Sequence, residues 1–310
     1  MSADRAAQAD AQGRAQEARS AMNRTGAPSR RVLPPIDRAP LRRRRRRAVW
    51  VQLACTAVSV FMALPIVLIG LAAVSSREAL NEFPKPLVPR EFSTETLAAF
   101  FRATGTVAAL GNSVLVGLYT VFWSLVIGAP AGYALARHAF RGKDTYQVFI
   151  LFVRALPIVV LSVPLATLFL RVDVYDTVLA VTLVHTTLAL PTTVLITASI
   201  FVAVPPDLEE AARVFGCTRW QAARRVVVPL ALPGLAASSI FTFVLSWNEI
   251  LGATIVTLGH RTLPAQVLTA LDEASTAYRF AGGFALIIPA LAFIFVMRRY
   301  LVNMWGTTLR

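Results

Sequence analysis

Hydrophobic and polar positions divide the chain into long apolar stretches joined by short polar connections. The first stretch runs from Ala48 to Ser76 without a charged residue. Others cover 106–136, 146–170, 174–203, 230–256 and 281–297, interrupted only by Arg154, Asp176, His185 and Glu249 among acidic, basic and imidazole groups. A bilayer is crossed by about 20 consecutive apolar residues, within a range of about 17–25. The pattern therefore predicts an all-α polytopic membrane protein with six transmembrane helices, and an even number puts both ends on one side. The first stretch exceeds the apolar core of a secretory signal and reads as a retained helix. Prolines at 65, 130, 157, 164, 191 and 289 fall within these spans, where neighbouring helices can satisfy the carbonyls they free.

Composition supports the membrane reading and charge orients it. Hydrophobic residues make up 56% of the chain, charged residues 15%, and mean hydropathy is +0.60. The net charge of +14 is uneven: residues 1–47 hold 13 arginines against the four acids Asp4, Asp10, Glu17 and Asp37. Rich in Ala, Arg, Ser, Pro and Gln, these residues lack the apolar groups that offset ordering entropy, so 1–47 reads as a disordered basic tail. Its closing run, Arg42 to Arg47, suits anionic lipid headgroups beside a membrane helix better than nucleic acid. Excess arginine also follows the second stretch (Arg137, Arg141), lies between the fourth and fifth (Arg213, Arg219, Arg224, Arg225) and follows the sixth (Arg298, Arg299). The connection 77–105 balances four basic residues against four acids. The positive-inside rule makes the arginine side cytoplasmic, with N-in and C-in topology. Cys55 and Cys217 suggest neither a disulfide nor a metal site.

The polar stretch 205–229 between spans four and five has a pattern of its own. Asp207 and Glu210 stand at capping-box spacing, and Leu208, Ala211, Ala212 and Phe215 form one apolar stripe at helical spacing. Gly216 follows where a helix end favours positive φ. Thr218 and Gln221 repeat the capping-box spacing, Trp220, Ala223 and Val227 make a second stripe, and Pro229 marks the turn into span five. The expectation is a short helix, a glycine turn and a second short helix at the cytoplasmic surface. Its stripes would cover the protein's own helix ends or lipid, or enter a cytoplasmic partner. A DNA-reading helix-turn-helix does not suit a loop tethered at both ends to membrane helices.

Glu210-Ala211-Ala212, three residues, Gly216, nine residues, then Val226-Val227-Val228-Pro229 resembles the EAA loop of ATP-binding-cassette importer permeases. Valines stand for the usual Ile and Leu, and Phe215 stands where relatives often carry aspartate. "GNSVLVGLYTVFWSLVIGAPAGYALARHAFRGK" (111–143) and "FVLSWNEI" (243–250) are similar to segments of the carbohydrate-uptake, maltose-type branch, over residues 48 to about 303. The closing "RRYLVNMWGTTLR" lacks that branch's glycine-rich Lys-Gly ending. The resemblance leaves the basic tail (1–47) outside it and implies a six-helix permease domain (48–303) containing the coupling loop 205–229, followed by a short C-terminal tail (304–310). It implies coupling through Glu210, Ala211, Ala212, Gly216 and Pro229. It also implies a bacterial plasma-membrane location, a second permease, two ATPase subunits that bind ATP and Mg, and an external solute-binding protein. The chain contains no Gly-x-x-x-x-Gly-Lys-Ser/Thr phosphate loop, so it is read as a transport subunit with no catalytic residue, cofactor or metal.

For the solute pathway, ionisable groups inside spans draw attention because they are costly there. Glu249 with Ser246, Trp247 and Asn248 offers the aromatic and hydrogen-bonding chemistry that sugars favour; equally, Glu249 suits pairing with a neighbouring helix. Asn112 near the start of span two and Arg154 in span three are further candidates, with Arg154 also able to snorkel to the interface. His185 reads as an interhelical hydrogen bonder, and Asp173 and Asp176 as solvated loop residues. A sugar-importer permease leads. Polyol, glycerol phosphate, polyamine or inorganic-anion uptake, a proton-coupled secondary carrier and a non-transporting membrane scaffold remain as alternatives.

Overall fold

The computed structural model describes residues 39–81, 88, 91–270 and 275–306. The tail reading for 1–38 and the C-terminal reading for 307–310 lie outside the described residues. Helix α1 spans Ala39–Ala73 and so begins inside the segment expected to be disordered. Arginine is a good helix former, and extending an existing helix needs no new nucleus, so Arg42–Arg47 continue it backwards. The described residues divide into two units between Phe61 and Met62, and the second unit carries the remaining elements.

These elements are α2 (Arg77–Asn81), α3 (Glu95–Arg102), α4 (Thr106–Arg137), α5 (Lys143–Arg154), α6 (Ile158–Arg171), α7 (Val178–Ala203), α8 (Pro206–Val214), α9 (Arg219–Ala222), a π-helical turn (Ala223–Val227), α10 (Val228–Trp247), α11 (Leu251–Val256), α12 (Leu263–Ala270) and α13 (Thr276–Gly306). Among the described residues the only β pairing is an isolated bridge between Ser75 and Phe92. Five helical runs are long and apolar enough to cross a membrane, and α5 with α6 makes a sixth if taken as one broken span.

Span three is where the structure departs most from the expected continuous 146–170. The chain bends by 84° between α5 and α6. Pro157 is the cause: it lacks an N–H to continue α5, and its ring drives Leu156 away from helical backbone angles. With φ −59° and ψ 135° it stands just before α6 rather than within a helix.

Whether α5–α6 crosses or dips back follows from its neighbours. A Cβ on Gly128 of α4 would meet Thr193 and Val194 of α7, and one on Gly132 would meet Thr197 and Ala198. Four residues forward on one helix therefore match four forward on the other, so α4 and α7 run parallel. The Arg137 guanidinium at the end of α4 donates to the Val204 carbonyl just after α7 at 2.8 Å, which places both ends at one face. A chain leaving one parallel helix and entering the next must traverse the bundle, so α5–α6 is a span. α10 runs antiparallel to α7: Gly234 lies against Ile200, Thr242 bonds Thr193 at 3.1 Å, and Ser246 lies 2.9 Å from His185.

Small and hydroxylated residues make this centre. Lipid tails are as apolar as leucine, so membrane helices associate by close packing and interhelical hydrogen bonds. Ser113, Thr120 and Ser124 of α4, Thr193 and Thr197 of α7, and Ser238 and Thr242 of α10 are all buried. The Thr197 hydroxyl reaches the Gly128 carbonyl at 3.0 Å, a contact that the missing Cβ atoms of α4 permit.

Toward the start of α7 the structure corrects the reading of Asp176 as simply solvated. Its carboxylate accepts from the backbone N–H groups of Leu258 (2.8 Å), Gly259 (2.9 Å) and His260 (2.9 Å), tying the α6–α7 turn to the α11–α12 connection. Asp176 adopts φ 57°, which asparagine and aspartate tolerate better than most residues. Desolvation raises its pKa, but the backbone N–H groups of His260, Leu258 and Gly259 and the charge of His260 outweigh it, and the net direction is down. A depressed folded-state pKa means stability that is fully present above the unfolded carboxylate value of about 4 and is lost as pH falls through the lower folded value. The melting temperature of purified protein should therefore exceed that of Asp176→Asn at pH 7, and the gap should close as the pH is taken below about 4. An unchanged gap at pH 3 would remove the carboxylate from this account.

Candidate coupling site and solute pathway

The 205–229 loop takes much of its form from local chemistry. Pro205 and Pro206 open α8, with Pro205 at the N-cap and no side-chain cap. The expected Asp207–Glu210 box is thus absent: consecutive prolines fix the entry, and Asp207 lies in the first turn, where a negative charge complements the helix dipole. At the other end Gly216 has φ +93°. Its N–H bonds the Arg213 carbonyl at 3.0 Å and that of Cys217 bonds Ala212 at 3.1 Å, the paired closure of a Schellman turn. Thr218 and Gln221 then form the expected capping box in both directions, at 2.9 and 3.3 Å.

The second short helix is not separate. α9 passes through the π turn directly into α10, making one continuous helical run over Arg219–Trp247. Pro229 is therefore not a turn: it sits in the first turn of α10, just after a π register in which the normal hydrogen-bond ladder is already displaced.

Ala223 and Val227 of the second stripe are buried, Val227 in a cluster with Phe201, Val204 and Ala231. The first stripe is largely uncovered: α8 has no buried residue, Phe215 is 88% exposed and Leu208 44%, and Trp220 of the second stripe is 72% exposed. Glu210, Ala211 and Gly216 are exposed and Ala212 is half-buried.

The acid that α8 does use internally is Glu209, which the sequence reading did not single out. Its carboxylate lies 3.1 Å from Arg137 Nε and accepts from the Tyr133 hydroxyl. The Arg137 and Glu209 side chains are 11% and 14% exposed. The signal was present: Tyr133 and Arg137 are one turn apart, so they share a face of α4. A groove of about 520 Å³ opens over them, lined also by His138, Glu210, Arg213 and Trp220.

The solute-pathway candidates divide by what they touch. Ser246 is buried between His185 and Thr120, which is 3.4 Å away, and His185 is the interhelical bonder expected. Trp247 Nε1 donates to the Leu286 carbonyl of α13 at 2.9 Å. Both lie at the end of α10, which stops at Trp247 within the span expected to continue to 256. Asn248 is exposed, its amide donating to the Val244 carbonyl at 2.9 Å. Glu249 is half-buried and accepts from Gly252 N at 2.7 Å, so it caps α11 at a helix break instead of projecting from a continuous helix. Asn112 donates to the Arg261 carbonyl at 3.2 Å, and Arg154 is exposed in the last turn of α5. No hydrogen bond among the described residues joins either to the 246–249 run. Nor do three His, Cys, Asp or Glu side chains gather as metal ligands among the described residues.

Residues 124–303 match the family described as the binding-protein-dependent transport system inner membrane component. The chain is 34% identical over 69% of its length to a probable ABC transporter permease protein, y4oR, of Sinorhizobium fredii, covering 79% of that protein. It is 30% identical over 83% of its length to the trehalose transport system permease protein SugB of Mycobacterium tuberculosis, covering 95% of that protein. In fold it is similar to a chain in the crystal structure of a bacterial ABC transporter involved in the import of the acidic polysaccharide alginate. That match has a TM-score of 0.63 and 19% identity, and covers 83% of this chain and 96% of that one.

Proposed function

Since the chain belongs to the family of binding-protein-dependent transport system inner membrane components, we propose that it is the permease subunit of an ATP-driven importer for a mono-, di- or oligosaccharide. It forms half of the translocation pathway beside a second permease. Two ATPase subunits bind ATP and Mg and supply the energy, and an external binding protein delivers the solute. The carrying observation is α8: an exposed helix closed by Gly216 at φ +93°, with Phe215 at its end and Trp220 of α9 uncovered beside it. Such a knob suits insertion into a partner's cleft. Glu210, Ala211, Ala212 and Gly216 make that contact, the alanines permitting close approach and the glycine setting the angle; Pro229 lies within the continuous helix Arg219–Trp247 that carries the movement into the membrane.

Six crossings and the arginine asymmetry support a bacterial inner-membrane protein with both termini in the cytoplasm. Similarity to the trehalose permease over most of both chains supports sugar as the solute class. Within the pathway, exposed Asn248 and half-buried Glu249 are the solute-facing candidates at the α10–α11 break, whereas Ser246 and Trp247 serve helix packing.

The test is uptake of labelled trehalose, maltose, xylose, sorbitol and glycerol phosphate in cells with and without the chain. Uptake of one sugar should collapse on deletion and also on inactivation of the ATPase subunits. Loss of glycerol phosphate or sorbitol uptake alone would move the solute class, and uptake indifferent to the ATPases would indicate a secondary carrier.

A further inference from the structure

We propose that Tyr133 and Arg137 are positioning residues for transport, acting through Glu209 to carry movement of α8 directly into α4. This rests on the reading of α8 as the coupling helix. Three observations lead to it. First, α8 has no fully buried residue, so apolar packing holds it only weakly to the bundle. Second, α8 is not continuous with either neighbouring helix: Pro205 and Pro206 interrupt the helix at its entry and Gly216, with φ +93°, at its exit. A push on α8 is therefore not carried into the spans by unbroken helical backbone. Third, Glu209 supplies a lateral tie, gripped by Arg137 Nε at 3.1 Å and by the Tyr133 hydroxyl. Arg137 Nη2 simultaneously donates to the Val204 carbonyl at 2.8 Å, which secures the end of α7 to the same side chain.

The grip matters because of what α4 touches. Gly128 and Gly132 lie against α7, and Thr120 is reached by Ser246 of α10. Displacing α4 therefore displaces the three helices at the centre of the bundle. The two adjacent glutamates divide the work: Glu209 is 14% exposed and turned to α4, while Glu210 is exposed and open to a partner. Successive residues on an α-helix point about 100° apart, so one turn of α8 faces both ways.

The experiment uses the complete complex of both permeases and both ATPases, trapped with ATP and vanadate and followed by hydrogen–deuterium exchange. In the wild type, trapping should slow exchange in α8 and alter it across 131–140 at the end of α4. In Glu209→Ala and in Arg137→Ala the α8 protection should persist, while the response at 131–140 falls at least fivefold. The double variant should be no worse than either single one, because the two residues act as one tie. Arg137→Lys should restore part of the response. Tyr133→Phe removes one hydroxyl, keeps the ion pair and should roughly halve the response, which covers the case in which the alanine variants fail to assemble. An undiminished response at 131–140 with α8 protected, or losses that multiply in the double variant, would overturn the clamp and leave the coupling reading intact. Absence of α8 protection in the wild-type complex would overturn the coupling reading and this inference with it.

Discussion

Gly216→Pro should abolish transport while leaving the protein in the membrane at near-normal abundance. Gly216 holds φ +93°, whereas proline fixes φ near −65° and removes the N–H that bonds the Arg213 carbonyl at 3.0 Å. The misfit is worth about 3 kcal/mol or more, enough to lower occupancy of this turn by roughly a hundredfold. Because α8 buries no residue, that loss does not spread into the core. Sugar uptake measured at matched abundance should fall about a hundredfold. Gly216→Ala, strained only by its Cβ at positive φ, costs about 1–2 kcal/mol and should give a milder loss. Normal uptake by the proline variant would show that the turn does not couple transport to ATP.

Gly132→Ala should act the opposite way, through folding. A Cβ there would overlap Thr197 Oγ1 and lie 2.7 Å from the backbone nitrogen of Ala198. Neither can give way cheaply: one belongs to a buried interhelical contact and the other to the α7 backbone. Overpacking typically costs about 1–3 kcal/mol, and a clash with backbone belongs at the upper end, about 3 kcal/mol. Against a total stability of about 5–15 kcal/mol this is a large fraction. A lower melting temperature and poor accumulation in the membrane are expected. Gly111→Ala is the control: nothing lies within 4 Å of its Cβ position, and replacing a helical glycine there should be neutral or slightly stabilising. Equal melting temperatures for the two variants would mean that α4 and α7 are not in this contact.

The form of the 205–229 loop was largely legible in the sequence because its determinants are local. The positive φ of Gly216 and the Thr218–Gln221 box each follow from residue types a few positions apart. Asp207 shows the limit: its spacing to Glu210 is right for a cap, but Pro205 and Pro206 occupy the cap positions first. The α5–α6 break was marked by Pro157, yet proline also sits inside α4, α6, α7, α10 and α13 without ending them, so only packing decides which one breaks a span. The tie from Arg137 to Glu209 spans 72 positions, beyond any local pattern. The contacts of the run 246–249 were not legible: a buried serine bonding a histidine and a serine facing a solute look alike in sequence. Glu249 was expected to project from a helix, and the end of α10 turns it into a cap.

The pairing of α4 with α7 also bears on how the chain is made. The Thr197–Gly128 hydrogen bond joins residues 69 apart. At a synthesis rate of about 5–20 residues per second, α4 is complete roughly 3–14 s before its partner groove exists. Through that interval Gly128 and Gly132 lack the close packing that Thr193, Thr197 and Ala198 of α7 give them. The nascent helix must therefore be sheltered at the insertion machinery until α5–α6 has crossed and α7 follows. A chain that terminates before α7 leaves that face permanently unmated, and such a fragment is a natural substrate for membrane proteolysis.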